Sequence, residues 1–176
     1  MVPITSGTEP GEAVLIVDIL RYAGISVVIA SDNNITTCER NIKIIPEKTF
    51  HDIEEEHFDA IIIPGGMQGV SLLSSCLSFR EILTEHYRNG GIIGAVCAAP
   101  TLLVDWKLYE KDTIFTSHPD VKKGFPQDRY STLSPTVSGR IITGGGLGTV
   151  CEFAVKMVEI LTDRDTAIAV ADSISL

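Results

Sequence analysis

The chain has 176 residues, a net charge of −9 and 44% hydrophobic residues. That is enough apolar material to bury a full core in one domain spanning residues 1–176, and it excludes a disordered chain. The acidic balance argues against direct nucleic-acid binding, which needs clustered Lys and Arg, and apolar runs such as AVLIVDIL are too short and interrupted to cross a bilayer.

MVPITSG (1–7) reads as a short first strand, with Pro3 unable to donate to a ladder, or as a chain whose start lies further upstream. No basic region followed by a long apolar core opens it, so no signal peptide is read and the cytoplasm is the expected compartment. PGEAVLIVDILRYAG (10–24) has helical periodicity, with Val14, Val17, Asp18 and Arg21 on overlapping turns, Pro10 suited to the first turn and Gly24 to a C-terminal cap. SVVIAS (26–31) and DAIIIPGG (59–66) read as strands, LSFREILTEHYRNG (77–90) as a helix capped by Gly90, and GIIGAV (91–96) as a strand. DTIFTS (112–117) and RIITGG (140–145) add two more strands, and GTVCEFAVKMVEILTD (148–163) a last helix. Most of these strands are apolar enough to be covered on both faces, so the β-α alternation predicts an α/β sandwich: a mostly parallel sheet between two helical layers. There is no internal repeat, linker or low-complexity segment.

Ligands of such a sheet bind beyond the carboxyl ends of its strands. Four loops follow candidate strands and are rich in small residues: SGTEPGE (6–12), PGGMQG (64–69), VCAAP (96–100) and GGGLGT (144–149). In a parallel sheet all four open onto one edge, where glycines let backbone N–H groups form an anion-binding floor. GGGLGT lacks the lysine of a phosphate loop and the spacing of a dinucleotide fingerprint, so its expected part is close backbone approach to the pocket.

Cys38, Cys76, Cys97 and Cys151 lie far apart, with no CxxC pair and no His at ligand spacing, so neither zinc nor a disulfide framework is expected and all four read as free thiols. Cys97 has two readings, a buried structural thiol and a nucleophile. Strand, Cys, two alanines and then Pro100 near a helix start form a nucleophile-elbow pattern, and a helix N-terminus beside the sulfur favours thiolate, so a depressed thiol pKa is expected. Cys151 lies within an amphipathic helix and reads as core, Cys76 lies at a helix–loop junction, and Cys38, among polar neighbours in TTCERN, reads as exposed.

GTEPGEA…VDILRYAG, IIIPGG, AVCAAPTLL and TSHPD, in that chain order, resemble the ThiJ/PfpI superfamily, in its DJ-one (Parkinson-associated) branch, over residues 4–163. The resemblance implies a flavodoxin-like sandwich and a homodimer that needs no cofactor or metal. It implies that Cys97 is the reactive elbow cysteine and that Glu12 hydrogen-bonds its sulfur. By the same resemblance the N–H groups of Gly66 and Ala98 face the site, His118 is a pocket histidine, and Gly65 and Arg40 border the pocket. Without the resemblance, Glu12 reads as a solvated carboxylate at a helix start and His118 as a turn residue before Pro119. Ala98 stands where the protease-like branches have His, which makes a cysteine peptidase or amidase the least favoured reading. Tyr22 and Gly145 stand where relatives carry arginine, which leaves fewer cations for an anionic ligand.

The implied activity is that of a glyoxalase III and protein deglycase acting on methylglyoxal and early glyoxal adducts, with a part in oxidative-stress responses. The chemistry follows from the residue types. A thiolate adds to the aldehyde of a 2-oxoaldehyde, N–H groups receive the oxyanion, and a carboxyl moves a proton between adjacent carbons. The rival is a redox sensor or chaperone in which Cys97 is oxidised rather than turned over, because an accessible, activated thiol serves both ends.

Overall fold

The computed structural model describes residues 1–176. Strand β1 (Val2–Ile4) leads into helix α1 (Pro10–Tyr22) and strand β2 (Ile29–Ser31). A small antiparallel hairpin, β3 (Thr36–Thr37) and β4 (Lys43–Ile44), is followed by β5 (Lys48–Thr49) and β6 (Ala60–Ile63). Two consecutive helices, α2 (Met67–Ser75) and α3 (Leu77–Arg88), precede strand β7 (Ile92–Val96) and helix α4 (Pro100–Trp106). After a long irregular segment come β8 (Thr136–Ser138), β9 (Ile141–Gly144), α5 (Val150–Leu161) and α6 (Arg164–Ser173).

The ladders run β5-β2-β1 and β6-β7-β9-β8, all parallel except the β8–β9 edge. The two groups meet where β1 lies beside β6: Ile62 N–H donates to Met1 C=O at 2.9 Å, and Pro3, next on that side, has no N–H to continue the ladder. Successive residues of the central strands alternate between two cores. Ile61, Ile63, Ile93, Ala95 and Ile141 face the layer built by α3, α4 and the aromatic segment around Phe115 and Phe125. Ala60, Ile62, Val96 and Ile142 face α1, α5 and α6. Burial on both faces explains why these strands read as continuous apolar runs. No helix is long and apolar enough to cross a membrane.

The α/β sandwich expected from the sequence is present, and five of its predicted strands, the short first one included, and its three predicted helices form with trimmed ends. Two details differ. Residues 112–117 are not a strand; only Phe115 makes a bridge, to Tyr130. Hydroxyls and a turn carbonyl take the N–H groups that a ladder would use: Ile114 N–H goes to Ser138 Oγ at 3.0 Å, Thr116 N–H to Thr143 Oγ1 at 2.8 Å and Thr113 N–H to Glu110 C=O at 3.0 Å. On α1 the buried stripe is Ala13, Ile16, Val17, Ile19 and Leu20, while Val14, Asp18 and Arg21 are exposed.

Candidate active site

Cys97 directly follows β7 and precedes α4. Its φ of 60° is the left-handed conformation that a side chain with Cβ adopts only when its surroundings hold it there. Three bonds do so: Cys97 N–H to Gly144 C=O at 3.0 Å, His118 N–H to Cys97 C=O at 2.8 Å, and Ala99 N–H to Val96 C=O at 2.9 Å. The sharp strand-to-helix turn aims the sulfur into a cleft of about 590 Å³ at the carboxyl edge of the sheet, lined among others by Glu9, Glu12, His118, Tyr130 and Gly146. Cys97 is half-buried.

The four small-residue loops do converge here. Gly66, at φ +94°, lies against the backbone of Gly7 and Glu9, and a Cβ added there would fall 2.3 Å from Gly7 O. At Gly65 a Cβ would sit 2.4 Å from Cys97 Cβ and 2.8 Å from Glu12 Oε2, so only glycine lets the three meet. Gly146 closes the far side, with Glu12 Oε1, His118 Cδ2 and Cys97 Cβ all within 3.7 Å of where its Cβ would be.

Glu12 is not a solvated helix-start carboxylate. It projects from the first turn of α1 into the site with 1% of its surface exposed. Its Oε2 accepts the Gly65 N–H at 2.7 Å, whereas Oε1 is buried without a hydrogen-bond partner. Burial raises its pKa to about 7, against the opposing pull of the Gly65 N–H; the charge of Glu9 adds to the rise.

The expected depression of the Cys97 pKa is corrected by the structure. Burial and the neighbouring Glu12 charge push the thiol up, to about 12, although the backbone N–H groups of Gly66 and Ala98 act the other way. The helix dipole does little here because the first turn of α4 has no free donors at the sulfur: Pro100 has no N–H, and the Thr101 and Leu102 N–H groups go to Ala98 and Ala99 carbonyls at 3.1 and 3.0 Å. Cys97 and Glu12 therefore form a pair whose resting state is a thiol beside a carboxyl near its midpoint at neutral pH.

The other predicted residues fall at different distances from this centre. His118 lines the cleft, but its ring bonds elsewhere: Nδ1 accepts the Asp120 N–H at 3.3 Å and stands 3.6 Å from the Asp120 carboxylate, with no hydrogen bond to Cys97 or Glu12. Arg40 does not line the cleft; its guanidinium is held by Glu9 and, at 2.9 Å, by Glu39. Its place is one layer out, neutralising Glu9, which does line the cleft and also caps α1 by accepting the Gly11 N–H at 3.2 Å.

Cys38 is buried, not exposed. Arg40 and Asn41 both adopt positive φ and reverse the β3–β4 hairpin, and Glu39 N–H docks the turn on Thr8 C=O at 3.0 Å, which tucks the thiol inside. Burial then raises the Cys38 thiol to about 11. Cys151 is only half-buried on α5, and Cys76 is the joint between α2 and α3. No three His, Cys, Asp or Glu side chains gather as a metal-binding cluster.

Several cleft residues carry no signal in the sequence. Lys122, Tyr130, Thr132 and Ser134 come from the irregular segment between α4 and β8, whose path is set by tertiary contacts. Glu9 alone had a recognisable cue, its position before a first-turn proline.

Comparison with known proteins points to one family. Residues 1–160 match the profile of the DJ-1/PfpI family. The chain is 37% identical over 156 residues to the glutathione-independent glyoxalase DJR-1.2 of Caenorhabditis elegans, covering 87% of this chain and 82% of that protein. It is 31% identical to protein dj-1beta of Drosophila melanogaster over 175 residues, covering 97% of this chain and 93% of that one. The solved structure of oxidized DJ-1 from Toxoplasma gondii superimposes with a TM-score of 0.95 at 32% identity, over 98% of this chain and 95% of that one.

Proposed function

The chain belongs to the DJ-1/PfpI family, and on that premise we propose that it is a cofactor-independent, cysteine-dependent glyoxalase that converts 2-oxoaldehydes such as methylglyoxal to 2-hydroxy acids. The observation that carries the proposal is Glu12: a fully buried carboxyl with one oxygen unpartnered, beside the elbow cysteine, titrating near neutrality. A pKa of about 7 suits a group that must both accept and return a proton at physiological pH.

The reaction proceeds by proton transfers alone. Glu12 takes the Cys97 proton as the sulfur adds to the aldehyde carbon, and the carbonyl oxygen becomes an oxyanion facing the Gly66 and Ala98 N–H groups. Glu12 returns that proton to the oxyanion, completing the hemithioacetal. It then removes the proton from the former aldehyde carbon, giving an enediolate, and delivers that proton to the neighbouring carbon as the hydroxyl proton of the first carbon passes to the oxygen of the second. The product is a 2-hydroxyacyl thioester on Cys97: the first carbon has been oxidised and the second reduced. Water cleaves the thioester, releasing the hydroxy acid and restoring the thiol, so the sum is one 2-oxoaldehyde plus one water to one 2-hydroxy acid. Deglycation of early glyoxal adducts is the same attack once the hemiaminal C–N bond has broken, the amine leaving free and the aldehyde passing to Cys97. Homodimerisation belongs to the proposal as well: Val14, Tyr22 and Leu147 are 51%, 61% and 49% exposed, apolar surface that a second copy would cover.

A redox-sensing role for Cys97 is the second reading, favoured by its partial exposure in an open cleft and by the oxidized state of the Toxoplasma gondii relative. Native mass spectrometry during methylglyoxal treatment, with lactate measured in parallel, tests the first. A single covalent adduct on Cys97 in wild type, absent from Cys97→Ala, with lactate formation lost in Glu12→Gln, is the expected result. Lactate formed at the wild-type rate by Cys97→Ala would overturn it.

A further inference from the structure

The chemistry above leaves one cation of the cleft unused. Lys122 lines it half-buried, and it is the only lysine or arginine that does. Its Nζ stands 5.1 Å from the centroid of the Tyr130 ring, and no carboxylate lies within 4.0 Å of it. Of the other charged groups at the cleft, Glu9 is held by Arg40 and His118 sits against Asp120, while the buried Glu12 accepts the Gly65 N–H and has no cationic partner. In a chain with a net charge of −9, Lys122 is thus a cation at the cleft without an ion-pair partner.

The site around Lys122 is built. Tyr130, the ring beneath the ammonium, is fixed by its own hydroxyl, which donates to Ser117 C=O at 3.1 Å, and by Phe125 at a centroid distance of 5.7 Å. The Thr132 hydroxyl lines the same cleft and makes no hydrogen bond within the protein. At about 590 Å³ the cleft greatly exceeds what a three-carbon 2-oxoaldehyde fills. Neutral methylglyoxal would leave the lysine, the free hydroxyl and most of that space idle.

We propose that Lys122 is a specificity-determining residue that binds a carboxylate at the far end of the carbonyl substrate, so that the preferred substrates are 2-oxoaldehydes with a carboxylate tail. This rests on the glyoxalase reading. One ammonium with a hydroxyl donor and no second cation matches a singly charged carboxylate better than a phosphate dianion. The contact with Tyr130 aims the side chain and leaves its three N–H donors for the ligand.

The test compares kcat/KM for 4,5-dioxopentanoate with that for the neutral chain of equal length, 2-oxopentanal, in wild type, Lys122→Met, Lys122→Arg and Lys123→Met. Binding of 4-oxopentanoate, which has the carboxylate but no aldehyde, is measured in parallel by calorimetry. Wild type should favour the carboxylate on the order of ten- to a hundredfold, mostly through KM, as expected of a hydrogen bond between charged groups. Lys122→Met should bring the ratio close to one and weaken 4-oxopentanoate binding to match. Lys122→Arg should keep most of the preference, and Lys123→Met, altering an exposed neighbour outside the cleft, should keep all of it. No preference in wild type, or a preference that survives in Lys122→Met, overturns the proposal. If neither aldehyde is turned over but 4-oxopentanoate binds in a Lys122-dependent way, the glyoxalase reading fails and the carboxylate site stands.

Discussion

Replacing Glu12 with Gln should make the protein more stable at pH 8 while abolishing its turnover. The carboxyl titrates at 4.5 when free and at about 7 in the fold, chiefly because burial penalises its charge. At about 1.4 kcal/mol per pH unit of separation, keeping it ionised inside the protein costs about 3 kcal/mol. The sign follows from proton uptake: between pH 4.5 and 7 the folded state holds more protons than the unfolded one, so wild-type stability falls across that window. Below it Glu12 is protonated in both states and the cost vanishes. Gln has the same shape, accepts the Gly65 N–H through its amide oxygen, and never ionises. The stability difference, variant minus wild type, should therefore start near zero at the acid end and grow to between about 1 and 3 kcal/mol by pH 8. Urea unfolding at fixed protein concentration from pH 4.5 to 8.5 measures it, below the range in which the Cys97 thiol titrates. Parallel curves for the two proteins, or a Gln variant weaker at pH 8, would refute the claim that Glu12 is held as a costly buried acid.

The thiol prediction runs alongside. Because the Glu12 charge contributes to raising the Cys97 pKa, the midpoint of the pH–rate profile for iodoacetamide alkylation should fall in Glu12→Gln, and an unchanged midpoint would mean that the two groups are not coupled. Gly65→Ala puts a Cβ 2.4 Å from Cys97 Cβ and should cost both turnover and stability; a fully active, normally melting variant would contradict the close approach of these backbones. Among single cysteine-to-alanine changes, only Cys97→Ala should remove turnover. Cys38→Ala should lower the melting temperature by the equivalent of about 1 kcal/mol, as fits a small buried side chain, and leave the rate intact.

How far the sequence reveals this molecule depends on where each constraint resides. The central strands and the long helices were legible because burial on two faces, or on one stripe, is written in the residues themselves. The elbow was legible too, since strand, Cys, two alanines and Pro leave few other local geometries. Two helices, α2 and α6, are not legible in the apolar pattern, and α4 shows only its start at Pro100. α2 is rich in Ser and Gly, α4 has only 7 residues, and α6 is polar apart from a narrow stripe, although its Asp163 cap, whose Oδ1 accepts the Thr166 N–H at 2.8 Å, was a usable start signal. Residues 112–117 have the composition of a strand, yet the hydroxyls of Ser138 and Thr143 take two of their N–H groups, an outcome that no local pattern predicts. The direction of the Cys97 pKa also depended on tertiary facts, namely how deeply the sulfur lies and which carboxyl meets it. The burial of Cys38 is set in the same way: its polar neighbours suggest exposure, but two positive-φ residues fold the turn back over it.

The central claim is that Cys97 and Glu12 together carry a substrate from aldehyde to hydroxy acid within one chiral cleft. Chiral chromatography of the lactate formed from methylglyoxal, in a buffer shown to be inert, tests it most directly. Wild type should give one enantiomer in excess, and Cys97→Ala and Glu12→Gln only the racemic background. Racemic lactate from wild type at the background rate, or the same enantiomeric excess from either variant, would contradict it.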